Sequence, residues 1–189
     1  MLIRIIVTLA IVSLASCSDS APSPSKATPT TQAAVIPAAL FAGERPADAP
    51  DLASVKASAK KGDHVVFLAR VGGKGQPFID SASIFIVADP ALLSCELMGE
   101  EDHCPKPWDY CCEESKTLKN GLATIQVLDT QGRPFARTAE GAGGLASLKY
   151  VVVDGTVSDR NDDGLFIVNA DRIWVGGVPN RSDHRAGSL

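Results

Sequence analysis

Five segments of the chain have the apolar patterns of short β-strands, and turn residues separate them. The clearest pattern begins at His64, after which Val65, Phe67, Ala69 and Val71 fall on one face of an extended backbone. The predicted strands cover residues 64–71, 82–88, 123–128, 150–157 and 165–175. Glycine-rich or Asp-containing turns follow several of them. The pattern therefore predicts a mostly β domain.

Helical periodicity is weaker and shorter. A proline and two acidic residues precede Leu52. Leu52, Val55 and Ala59 then fall on one helical face, and Gly62 follows as a stop signal. Such a start and stop predict one short N-terminal helix. A second, weak helical stretch covers residues 144–149, between the third and fourth predicted strands.

The remaining segments divide the chain into four regions. Residues 1–16 are predicted to be a signal peptide, 17–46 a lipidated, disordered tether, 47–176 the folded domain and 177–189 a flexible tail. The tether starts rich in Pro, Ser, Thr and Ala, and such a composition buries too little apolar surface to offset its ordering entropy. Two apolar pairs within it, Val35-Ile36 and Leu40-Phe41, are candidates for docking on the domain.

The N-terminus has the layout of a secretory signal peptide, with Arg4 followed by an apolar run over residues 5–15. That run is shorter than the roughly 20 residues needed to cross a bilayer. The sequence Leu14-Ala15-Ser16-Cys17 resembles the bacterial lipobox. This resemblance implies cleavage before Cys17, lipidation of its sulfur and stable anchoring by several acyl chains. The alternative is an ordinary cleaved signal that leaves Cys17 as a spare thiol.

Ser18 resembles the residue that follows the lipidated cysteine in lipoproteins sorted to an outer membrane. The expected location is therefore the cell envelope, on the outer membrane facing the periplasm if the cell has two membranes. The chain carries a net charge of −4. Removing residues 1–16 leaves 17 basic against 22 acidic residues, a charge of −5. This acidity argues against nucleic-acid partners, which select basic surfaces.

Five short strands with a helix between the third and fourth are the element order of an OB-fold barrel. The segment 62–175 resembles bacterial secreted OB-fold proteins, through strand phrases such as Phe85-Ile86-Val87-Ala88-Asp89. The resemblance implies a five-stranded OB-fold-like barrel with a cysteine-rich insertion between strands 2 and 3. A different small β-sandwich is the alternative. In OB-folds two loops flank the binding face, and the matching loops suggest four possible ligand-face residues: Arg70, Lys74, Phe78 and Arg160.

Four cysteines other than Cys17 lie in the insertion, namely Cys95, Cys104, Cys111 and Cys112. The phrase from Cys104 to Cys112, Cys-Pro-Lys-Pro-Trp-Asp-Tyr-Cys-Cys, is similar to a segment of secreted OB-type proteins and implies no activity. An even number of cysteines in an exported chain predicts two disulfides. Of the three pairings, the two that link Cys95 and Cys104 separately to Cys111 and Cys112 are favoured, because a vicinal bridge is strained.

Metal binding and redox chemistry are the alternatives for these cysteines. Four thiolates with nearby His103 and Asp109 suit zinc or copper(I). The spacing differs from the C-x2–4-C pairs of structural zinc sites, so no metal is expected. A redox role needs a thiol of low pKa, which the adjacent Glu113 and Glu114 disfavour.

No group of residues supports catalysis, and we expect neither an enzyme nor a cofactor. The sequence favours a membrane-anchored lipoprotein with a non-catalytic binding or scaffolding domain. Its partner would be an envelope protein, a peptide or a saccharide. The alternative function is metal handling or thiol redox chemistry by the four cysteines. Single-stranded nucleic-acid binding rests on fold analogy alone and is the weakest hypothesis.

Overall fold

The computed structural model describes residues 35–98 and 104–177. Within them the chain forms six strands and two short helices. Their order is β1 (Phe41–Ala42), α1 (Leu52–Ser58), β2 (His64–Val71), β3 (Ile84–Ala88), α2 (Ser115–Gly121), β4 (Leu122–Gln126), β5 (Tyr150–Arg160) and β6 (Phe166–Gly176). The predicted mostly β class is confirmed, and the five long strands lie within a few residues of their predicted bounds.

Strands β2 to β6 close into a barrel. β2 pairs antiparallel with β3 and with β5, β3 pairs antiparallel with β4, and β5 pairs antiparallel with β6. A parallel pairing between β4 and β6 completes the circle. The register of β5 against β6 shifts beside Gly155, where a Cβ would lie 2.2 Å from the carbonyl oxygen of Asn169. Only glycine fits this bulge, which bends the long hairpin around the barrel.

Alternate side chains of each strand fill the barrel. The predicted inward face of β2 is confirmed, since Val65, Phe67, Ala69 and Val71 are all buried. The other strands contribute a matching set of buried residues: Phe85, Val87, Ala123, Ile125, Val151, Val153, Val157, Phe166, Val168 and Ile173. Leu52 of α1 joins this core with no exposed surface. Burial of this apolar set is the main favourable term for folding.

The described fold includes residues that precede the predicted domain boundary at residue 47. Strand β1 pairs parallel with β6, with Phe41 opposite Ile173 and Ala42 opposite Trp174. Ile36 is only 6% exposed and belongs to the barrel core. The two apolar pairs of the predicted tether therefore supply an extra strand and a core residue, and residues 35–46 are part of the fold.

The helices differ from the predicted pattern. The prediction of a weak helical stretch over residues 144–149 is wrong, because only a single 3-10 turn, Ala142–Gly144, occurs there. Positive φ angles at Gly141, Gly144 and Leu148 prevent a continuous helix. Helix α2 was not predicted, and it lies between β3 and β4, directly after the cysteines.

Several predictions concern residues outside the described ranges. The signal peptide, Cys17, the tether up to residue 34 and the tail from residue 178 lie there, and so does His103. None of the helices within residues 35–98 and 104–177 has the length and apolar character that a bilayer crossing requires.

Candidate functional site

Two loops that the sequence singled out meet at one groove on the barrel rim. Lys74 comes from the β2–β3 loop, and Asp163 and Gly164 come from the β5–β6 loop. The groove has a volume of about 460 Å³. We call it the rim groove, and its lining residues are Lys74, Ile86, Ser115, Leu118, Lys119, Leu122, Asp163 and Gly164. Its volume is within the range of small-molecule clefts, and it opens widely to solvent.

The rim groove has an apolar floor and charged edges. Ile86 of β3, Leu118 of α2 and Leu122 of β4 supply the apolar surface. Across the groove, the Lys119 ammonium lies 3.6 Å from a carboxylate oxygen of Asp163. Lys74 is exposed, and no acidic group among the described residues lies within ion-pair distance of it. Lys74 thus leaves one positive charge at the edge for a partner.

A buried lysine holds the elements that form this groove. The Lys56 ammonium of α1 donates to the carbonyl oxygens of Lys119 at 2.8 Å, Leu122 at 2.6 Å and Gly164 at 2.8 Å. The three N–H groups of the ammonium match three acceptors. These hydrogen bonds join α1 to the α2–β4 junction and to the β5–β6 loop. Burial, with a smaller contribution from Arg160, lowers the pKa of Lys56 to about 8.

The four predicted ligand-face residues do not all line one groove. Only Lys74 lines the rim groove. Arg70 is 3% exposed, and its guanidinium donates to Ser94, Glu96 and the Leu148 carbonyl. Phe78 lies in the barrel core, 5.8 Å from the Phe85 ring. Arg160 is half-buried and donates to the carbonyl oxygen of Ala59.

The described parts of the cysteine segment, residues 95–98 and 104–112, are attached to the barrel mainly through Tyr110. The Tyr110 side chain has no exposed surface and packs with Ala88, Leu92 and Leu118 in a second hydrophobic cluster. A Cβ at Gly72 would lie 2.8 Å from the Trp108 carbonyl oxygen and 3.0 Å from the Tyr110 ring. The segment therefore fits against the β2–β3 loop only because residue 72 is glycine.

Polar contacts fix the same segment on both sides. The Trp108 indole donates to the Gly75 carbonyl at 2.6 Å, and Gly73 N–H donates to the Trp108 carbonyl at 3.1 Å. The Arg70 guanidinium donates to Ser94 Oγ at 2.7 Å and to Glu96 Oε1 at 2.8 Å. Arg70, predicted as a ligand contact, thus anchors the start of the cysteine segment to β2.

The Cys111 thiol lies close to the other three thiols of this segment, and three of the four sulfurs are near one another. The Sγ atom of Cys111 lies 3.4 Å from that of Cys95, 3.9 Å from that of Cys104 and 3.9 Å from that of Cys112. The sulfurs of Cys95, Cys104 and Cys111 are all within 4.8 Å of one another. Cys95 is buried, Cys104 is half-buried and Cys111 is exposed. Desolvation, together with hydrogen bonds to Cys104 and Cys111, raises the pKa of the Cys95 thiol.

These distances are contacts between thiols, and the two predicted disulfides stay a prediction. Cys111 has three cysteine neighbours and can join only one of them in a disulfide. Its shortest distance, to Cys95, favours the crossed pairing in which Cys104 bonds to Cys112. Sequence spacing alone does not reveal that the sulfurs share one location, because eight residues separate Cys95 from Cys104 along the chain.

Comparisons with protein-family models, with curated proteins and with solved structures found no match.

Proposed function

We propose that the chain is a membrane-anchored envelope lipoprotein whose OB-type barrel binds a segment of another envelope protein in the rim groove. The OB assignment is supported by the strand order around the barrel, in which β2 to β6 are the first to fifth barrel strands. The third and fifth strands, β4 and β6, pair in parallel, and the fourth, β5, pairs with the first, β2. The lipobox resemblance at residues 14–17 supports the anchor. Neither argument depends on an enzymatic activity.

The observation that carries the binding proposal is the position of the rim groove. In OB-folds, ligands contact the second and third strands between the loops that join strands one to two and four to five. The rim groove lies between the corresponding loops here, with Ile86 of the second barrel strand and Leu122 of the third on its floor. The departure from a simple OB-fold is α2, which supplies the wall that carries Leu118 and Lys119.

The chemistry of the groove favours a peptide segment over other OB ligands. Among the residues that the structure describes, its lining contains no aromatic side chain, whereas binding of single-stranded nucleic acid depends on stacking against aromatic rings. An apolar floor beside the Lys74 ammonium suits a segment with an apolar side chain next to a carboxylate. The preferred partner is therefore an acidic segment of an envelope protein.

Crosslinking in cells tests this proposal. A photo-crosslinking amino acid at Ser115, on the exposed edge of the groove, is expected to give one discrete adduct with an envelope protein. Lys74→Glu should weaken the adduct at least severalfold, since it places a like charge opposite the acidic segment. Lys149→Glu is the matched control, because Lys149 is exposed and does not line the groove.

The control separates local repulsion from a change in overall charge. Both variants change the net charge equally. A decrease in adduct that occurs only in Lys74→Glu therefore assigns the contact to the groove. An adduct that persists unchanged in Lys74→Glu, or that weakens equally in Lys149→Glu, would rule out recognition by this edge.

A further inference from the structure

The three converging sulfurs have the spacing of metal ligands. A tetrahedral zinc ion with Zn–S bonds of about 2.3 Å holds its sulfurs about 3.8 Å apart. The distances from Cys111 to Cys95 and Cys104 are 3.4 and 3.9 Å, on either side of that value. Because all three sulfurs lie within 4.8 Å of one another, one ion can contact them together after small side-chain rotations.

The positions of these sulfurs do not depend on a covalent bond between them. Cys95 N–H donates to the Asp109 carbonyl at 2.8 Å, and Glu96 N–H donates to the Pro107 carbonyl at 3.1 Å. These bonds join the two arms of the segment next to the thiols. Arg70 and Tyr110 fix the same arms to the barrel. The Cys95 and Cys111 ligands are thus held near each other beforehand, which reduces the ordering cost of binding an ion.

We propose that Cys95, Cys104 and Cys111 bind one zinc ion through three thiolates, with the fourth coordination position open. Each thiol releases its proton to solvent on binding, and no electron is transferred. Three thiolates select a soft or borderline ion over magnesium or calcium. Cys111 and the half-buried Cys104 face solvent, which gives the ion an entry path. The open position leaves room for water or another ligand on the ion.

A second group of potential ligands provides a comparison. His64, Asp154 and Asp171 also place donor atoms within 4.8 Å of one another on neighbouring strands. His64 Nε2 already lies 2.7 Å from Asp154 Oδ1, and Arg172 is opposite Asp154 in the sheet register. His64 and Asp171 are exposed. This group is an ordinary surface ion-pair arrangement, and His64→Ala serves as a control.

The test uses the full-length protein extracted from membranes and reduced under argon. Zinc affinity is measured by competition with a chromophoric chelator, and cobalt(II) replaces zinc to show thiolate charge-transfer absorption. We expect one ion per chain. Cys104→Ser and Cys111→Ser should each lower the zinc affinity more than about a hundredfold, because even partners outside the ligand shell are worth about 10–100-fold. Cys112→Ser and His64→Ala should stay within a few-fold of the unmodified protein.

Circular dichroism of each variant shows whether the barrel is intact, and Cys104 is the safest test because it lies outside the buried clusters. Three results would overturn the proposal. One is undiminished zinc affinity in folded Cys104→Ser. Another is copper(I) binding without zinc binding. The third is a natively purified protein in which all four thiols resist alkylation until reductant is added, which would assign the segment to two disulfides.

Discussion

Replacing Tyr110 with alanine is expected to lower the free energy of unfolding by about 3–5 kcal/mol, the range for truncating a large buried aromatic side chain. Tyr110 has no exposed surface and joins the cysteine segment to Ala88 of β3 and Leu118 of α2. Loss of the Tyr110 ring leaves a cavity between the cysteine segment, β3 and α2. Urea denaturation monitored by circular dichroism measures the change, with the slope of the transition checked for constancy.

The matched control is Tyr110→Phe, which keeps the ring and its packing. It should cost less than about 1.5 kcal/mol, as expected for near-isosteric core changes. Hydrogen exchange on the alanine variant should show faster exchange at Cys95 and Glu96, whose N–H groups donate to the other arm of the segment. If the alanine variant were as stable as Tyr110→Phe, the cysteine segment would not depend on this anchor.

Lys56→Met is expected to lower the free energy of unfolding by about 2–4 kcal/mol. The substitution removes a buried ammonium that donates to three carbonyl oxygens, and each buried acceptor left unpaired costs about 1–3 kcal/mol, in part recovered by water. Lys60→Met is the matched control, since Lys60 is exposed and should change stability by less than about 0.5 kcal/mol. Thermal and urea unfolding measure both variants.

Lys56 also makes the free energy of unfolding depend on pH. The pKa of Lys56 is about 8 in the folded state and 10.5 as its ordinary value. Between these values the unfolded chain binds the proton and the folded chain does not, so the stability of the unmodified protein rises as pH increases from 8 to 10.5. Lys56→Met should lack this rise. Parallel pH profiles in the two proteins would show that Lys56 does not titrate with a lowered pKa.

The strands could be predicted because their signal is local. In β2, alternation placed Val65, Phe67, Ala69 and Val71 on one face, and the barrel uses that face as its core. Helix α2 was missed because Leu118 is the one large apolar residue among its seven, so the sequence shows no apolar helical face there. Its signals were present all the same: Glu114 at its N-cap, Lys119 in its last turn and Gly121 at its end.

The candidate sites depended on contacts that are distant in sequence. Lys74 could be placed at the rim because loop order in an OB-type barrel identifies its loop. Arg70 resembled a ligand contact because it ends a strand near that loop, but its charge is neutralised by Glu96, 26 residues away. Lys56 gave no signal, since its partners Lys119, Leu122 and Gly164 come together only in three dimensions. The spacing of the cysteines likewise concealed their convergence.

An envelope lipoprotein requires the chain to be processed at Cys17, and an intact mass of the protein extracted from its native membrane tests this directly. We expect the mass of residues 17–189 with a diacylglyceryl group and an added acyl chain, and we expect a Cys17→Ser variant to lack both. A native mass corresponding to residues 1–189, or to a cleaved chain without lipid, would contradict the membrane-anchored function.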